Sequence, residues 1–237
     1  MDQNAEYAML IGNREELYLL LGRLYKLEVD ESLLERLAEM QFPKNSGDAE
    51  LNEGYQLLTN YLKHQKNETD LAVDYARVFL GAGIYSGLVA HPYESVYTSP
   101  ERLVMQEAWV DVVATYHANG LDKAASLDIP EDHIALECEF MAYLCHKIQQ
   151  AMSKDDWSTI TRAIDTQKEF LQKHLLNWVP NFCEDIQRCA SSDFYKAVAK
   201  ITDRFLKLDL DILEELSPST AVLVNPDYQN EQLNVRI

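Results

Sequence analysis

The chain predicts an all-α fold, a single-domain bundle of about nine to ten helices over residues 1–216, followed by a tail of different character over residues 217–237. Three observations predict it. Apolar residues recur three and four apart through nearly every segment, which is the helical period. Capping residues, Pro and Gly fall at the ends of those segments. No segment shows the period-two alternation of a half-buried strand, and no internal repeat or low-complexity region interrupts the pattern.

The elements follow in order. Tyr7, Leu10, Ile11, Leu17, Leu20, Leu21 and Leu24 give residues 3–27 one apolar face. Asp30 or Ser32 starts a second helix carrying Leu33, Leu34, Leu37 and Met40, which Phe42-Pro43 ends. After the polar loop KNSGDAE, a third runs through Leu51, Tyr55, Leu58 and Leu62. A fourth starts at Thr69 or Asp70 and stops at Gly81. Ser99 as cap, with Pro100 at the first helical position, predicts a helix to Asn119-Gly120. Asp128-Ile129-Pro130-Glu131-Asp132 repeats that signature, with acids set against a helix dipole, for a helix through Ile134, Cys138, Met141, Cys145 and Ile148. Asp155 or Asp156 opens another to about Trp178, and Pro180 opens a shorter one. The last covers residues 192–216. From Ser217, with Pro218 and Pro226, the chain is expected to be extended or disordered, or to dock through Val222 to Val224.

Between these helices, residues 81–97 read GAGIYSGLVAHPYESVY, the longest stretch before the tail that does not read as helix. It holds three of the eight glycines, Pro92, His91 and three tyrosines. A loop of this length in a helical domain is a candidate for function.

Composition narrows the function classes. Hydrophobic residues make up 47% of the chain, enough for a full core. The 39 acids against 21 bases leave a net charge of −18, which argues against nucleic acid, whose affinity comes from Lys and Arg on phosphates. A basic partner or simple solubility fits instead. Cys138, Cys145, Cys183 and Cys189 lack CxxC spacing and read as buried reduced thiols. No apolar run reaches the length of a membrane span and no signal-peptide pattern opens the chain, so a cytoplasmic location without membrane insertion is expected.

Three constellations could carry chemistry. In DYARVFLG, residues 74–81, Tyr75, Val78 and Phe79 share a face that reads as core, and Arg77 reads as a structural ion pair. In HPYESVY, Tyr93 and Tyr97 have apolar rings with polar tips, the kind of side chain that anchors interfaces. In PEDH, residues 130–133, the acids could serve only the helix dipole. His133 and Glu137, four apart, have the spacing of two metal ligands, but zinc needs three or four and no other histidine matches. No phosphate-binding loop or nucleophile elbow is present, so no catalytic residue, metal or cofactor is assigned.

DYARVFLG, HPYESVY, IPEDHIALECEFMAYL and FLQKHLLNWVPNF, in that order, resemble the TorD/DmsD family of redox-enzyme maturation chaperones. The resemblance implies a TorD-like all-α chaperone, not an enzyme. It would bind the twin-arginine signal peptide of a molybdopterin oxidoreductase and hold the apo catalytic subunit until cofactor insertion, before export. It further implies a monomer able to form a domain-swapped dimer. It puts the peptide-binding surface at Phe79, Pro92, Tyr93, Ser95, Tyr97, Asp132 and His133. Guanidinium chemistry adds Glu94, with Glu131 and Asp132, as carboxylates for the arginines, and Phe79, Tyr93, Tyr97 and Phe140 as walls for the apolar segment. In this reading Asp132 accepts a hydrogen bond from the peptide and His133 orients it. Some relatives have Trp where Tyr93 stands and a small residue where Glu94 stands. The alternatives are an assembly factor for a non-exported, nitrate-reductase-type molybdoenzyme, a metal- or nucleotide-dependent hydrolase using His133, Glu137 and Glu139, or a helical adaptor.

Overall fold

A computed structural model describes residues 3–83 and 87–224. Side-chain caps decide where the first helices begin. After α1 (Gln3–Lys26), Asp30, Asp48 and Asn67 each turn a side-chain oxygen onto a first-turn N–H, opening α2 (Glu31–Glu39), α3 (Ala49–His64) and α4 (Glu68–Leu80). Gly81 closes α4 in the left-handed region at φ 68°, where a side chain would be strained. The short α5 (Glu94–Thr98) and α6 (Glu107–Ala118) follow. Next come α7 (Ile134–Met152) and α8 (Trp157–Phe170), the latter capped by Asp156. α8 runs on as a π-helical turn, Leu171–Leu175. α9 (Val179–Cys189) has Pro180 in its first turn, and α10 is Asp193–Val224. Among the described residues the backbone forms no strand, and one antiparallel bridge joins Tyr93 to His133.

The core is built around α7, where Ile134, Cys138, Met141, Cys145 and Ile148 have no exposed surface. α1 and α8 lie against it, and α10 packs on α8, α9 and α3. Gly22 lets α1 approach, since a Cβ there would stand 3.1 Å from the Ala135 carbonyl oxygen. Arg14 ties the layers together. Its guanidinium holds Asp209 of α10 at 2.5 and 2.9 Å and donates to Gln167 of α8 at 3.1 Å; Tyr18 adds a 2.7 Å bond to Asp209. Gln167 in turn donates to the Met141 carbonyl of α7. A buried pair satisfied in this way specifies one arrangement of the helices, and removing one partner costs about 3–5 kcal/mol.

Three boundaries differ from expectation. The helix predicted from Ser99 does not start there: residues 99–106 are irregular, and α5 occupies what read as loop. Ser99 donates its N–H back to Ser95 to close α5, and Arg102 and Met105 sit at φ 53° and 57°, outside helical backbone. α7 begins with His133 as its cap rather than at Asp128, because the Asp132 carbonyl is already committed to the backbone of Glu94. α10 continues past Leu216 to Val224; the remaining tail, residues 225–237, and Tyr85 in the loop lie outside the described residues.

Candidate peptide-binding groove

The two central motifs, far apart in sequence, meet through backbone. Glu94 donates its N–H to the Asp132 carbonyl at 2.9 Å, and Ile134 donates to Pro92 at 3.0 Å. This places Tyr93 opposite His133 as a non-hydrogen-bonded pair, the kind with the closest side chains. Their rings meet edge to face, 5.0 Å between centroids.

Most of the predicted residues support this junction from within. Pro92, Glu94, Ser95, Asp132 and His133 are buried, while Tyr93 and Tyr97 are half-buried. Asp132 does not face a partner: its Oδ2 accepts the Ser95 N–H at 2.9 Å and so holds the start of α5. Burial pushes its pKa up. His133 Nδ1 accepts the Ala135 N–H at 3.0 Å, which requires the neutral ring. Burial, with the Lys26 charge nearby, pushes its pKa down to about 3. Glu137 is fully buried and takes the Trp178 indole N–H at 3.2 Å; burial and the charges of Glu94 and Asp132 push its pKa far up. Glu131 holds the Trp109 indole at 2.6 Å. Tyr97 donates to Asp185 at 3.1 Å with its ring against Trp178.

The expectation for Phe79 needs correction. It lies in a ring cluster with Tyr25, Tyr75, Phe182 and Tyr195, 2% exposed, and cannot wall a surface groove. Phe140 is likewise buried, against Tyr116 and Phe170. Arg77 pairs with Asp74, whose oxygens also take the N–H groups of Ser191 and Ser192, and Tyr75 donates to the Tyr25 carbonyl. His133 and Glu137 form no metal site: the histidine nitrogen is taken by backbone, and no three His, Cys, Asp or Glu among the described residues are placed to hold an ion.

The accessible surface beside the junction comes from residues that sequence reasoning did not single out. Two adjoining hollows, of about 330 and 400 Å³, run between α5, α6 and the π turn. Five carboxylates line them: Glu94, Glu101, Glu107, Asp111 and Glu169. The one lysine there is Lys173, and Asp111, Lys173 and His174 are common to both hollows. Beside them stands an apolar ridge of Leu103, Val104, Met105 and Val110, each 43–58% exposed. The left-handed backbone at Arg102 and Met105 holds that ridge out, and a 3.0 Å bond from the Gln106 N–H to Ser95 Oγ anchors it. Three consecutive apolar residues, which no single helix face can bury, were the available signal. A larger hollow of about 900 Å³ between α2 and α3 has no carboxylate in its lining and is not adjacent to either motif.

Comparison with known proteins places these motifs. Residues 44–184 match the nitrate reductase delta subunit family. The chaperone protein TorD of Vibrio cholerae serotype O1 (El Tor Inaba N16961) is 30% identical, over 91% of this chain and 98% of that protein. TorD of Aliivibrio fischeri is 28% identical over 84% and 94%, and TorD of Photobacterium profundum 26% identical over 88% and 97%. With motifs and length shared in this way, the chain belongs to the TorD family of chaperones and is a chaperone, not a catalyst.

Proposed function

We propose that this chaperone binds the twin-arginine leader of a molybdopterin oxidoreductase catalytic subunit, and holds the apo subunit in the cytoplasm until its cofactor is inserted. The observation that carries the reading is the five-carboxylate groove running beside the Leu103–Val104–Met105 ridge. A leader of this type has two guanidinium groups followed by an apolar stretch. Carboxylates accept guanidinium in two-pronged charge-assisted bonds. The exposed ridge is the apolar surface on which the following stretch would be buried. Asp132 and His133 serve as positioning residues, setting α5 and α7 so that Glu94 and the ridge face one groove. A client without an exported leader is the second reading, favoured by the match to the nitrate reductase delta subunit family; the N-terminus of the co-purifying subunit decides between them.

The test is calorimetry with a synthetic leader peptide, Arg-Arg followed by a leucine-rich segment. Wild type is expected to bind it. The Glu101→Gln/Glu107→Gln double variant, changed only at exposed positions, is expected to bind about tenfold more weakly, at up to ~1 kcal/mol per exposed charge pair. Binding by neither protein, or equal binding by both, would refute the groove as the site.

A further inference from the structure

The groove's acids are not bare. Two neighbouring side chains, Lys173 and His174, reach across it from the π turn. Lys173 Nζ stands 3.0 Å from Asp111 Oδ2, and His174 Nδ1 stands 2.9 Å from Glu94 Oε2. All four residues line the hollows, and Asp111, Lys173 and His174 are the partition where the two meet. We propose that Lys173 and His174 are an internal stand-in for the paired arginines of the leader, holding Asp111 and Glu94 until the arginines take their places. This rests on the leader reading above.

The winding of the chain supports it. Leu176 donates to the Leu171 carbonyl at 2.8 Å, an i to i+5 bond that inserts one extra residue into the end of α8. Such single π turns are uncommon and are frequently found at functional sites. Here the turn sends two adjacent residues to carboxylates on two different elements, α6 and α5. An unbroken α-helix turns neighbouring residues about 100° apart.

The chemistry of exchange is favourable in the required direction. Guanidinium binds carboxylate through two parallel bonds, whereas imidazole and ammonium offer one donor at a time to a given oxygen. Lys173 is already half exposed and gains full hydration when released. His174, buried against Glu94, meets it through a single ring nitrogen. Its departure would merge the two hollows into one trough. The arrangement also selects: a lone cation displaces one strap and leaves the other in place, while two adjacent cations displace both. A cation that binds carboxylate no better than the straps gains nothing by displacing them, which disfavours ligands lacking guanidinium.

The experiment uses the full chain and three peptides with a common leucine-rich segment, preceded by Arg-Arg, Arg-Gln or Gln-Gln. Lys173→Gln is expected to bind the Arg-Arg peptide about threefold more tightly than wild type and Lys173→Gln/His174→Gln about tenfold, with the Gln-Gln peptide changed less than twofold. The double variant should also prefer Arg-Arg over Arg-Gln about threefold more strongly than wild type, because each arginine then meets a carboxylate with no competitor. Lys173→Gln alone keeps the test open if the change at buried His174 impairs folding. In wild type, the His174 ring nitrogen signals should shift on saturation with Arg-Arg and stay put with Gln-Gln. Unchanged or weaker Arg-Arg binding by Lys173→Gln, or stationary His174 signals, would overturn the stand-in while leaving the leader reading intact. Failure of wild type to bind the Arg-Arg peptide would remove both.

Discussion

His133 shows a titratable side chain committed to backbone. Its Nδ1 can accept the Ala135 N–H only while unprotonated, and its folded-state pKa of about 3 lies far below the unfolded value of about 6.5. Between those values the unfolded chain binds a proton that the folded chain refuses. His133 therefore contributes stability that is complete above about pH 6.5 and lost as pH falls toward 3. Asp132 and Glu137 work the other way: their raised pKa values favour the fold at low pH, a contribution lost as pH rises through them. The His133 part is isolated by comparison with His133→Asn, which keeps a good helix cap. Urea melts should show the variant gaining about 2 kcal/mol on wild type between pH 7 and pH 5. Parallel stability curves would mean that the ring accepts its proton in the fold. At this scale the sequence was only partly legible: Asp132 and His133 stood out, but as contact residues, because spacing alone does not show a side chain turned inward onto a backbone N–H.

Helix starts marked by Asp30, Asp48, Asn67 and Asp156 could be read or closely approached from sequence, since a cap acts within four residues of itself. Residues 99–106 could not. Ser99-Pro100 is a sound local start signal, but the left-handed turns at Arg102 and Met105 and the Gln106 bond to Ser95 override it, and Ser95 is itself held by Asp132, 37 residues on. The groove acids were hidden for the same reason: Glu101, Glu107 and Asp111 read as the solvated face of a helix until α8 and its π turn are placed against them. The ridge then makes a separable prediction. Leu103→Ser/Val104→Ser removes exposed side chains and should leave stability within ~0.5 kcal/mol. It should weaken a full leader about tenfold through lost apolar burial, and leave a short Arg-Arg peptide lacking the apolar segment unaffected. Equal losses for both peptides would mean that the ridge shapes the groove instead of receiving the leader.

Over the whole molecule, the net charge of −18 sets a long-range field that no single contact explains. Exposed charges scattered over a surface contribute little to the stability of a bound complex but strongly bias diffusional encounter. The groove adds local bonds that persist once formed, at Glu94 in a buried setting where salt screens weakly. The two contributions should therefore separate in kinetics. Raising ionic strength shortens the screening length from about 30 Å at 0.01 M to about 10 Å at 0.1 M. Stopped-flow association of an Arg-Arg leader should slow by about an order of magnitude over that range, while its dissociation rate changes less than about twofold. A peptide with neutral Gln-Gln should show little salt dependence in either rate. If the dissociation rate carries the salt effect instead, the leader is held by exposed pairs at the rim, and the buried carboxylate at the groove floor plays no part in holding it.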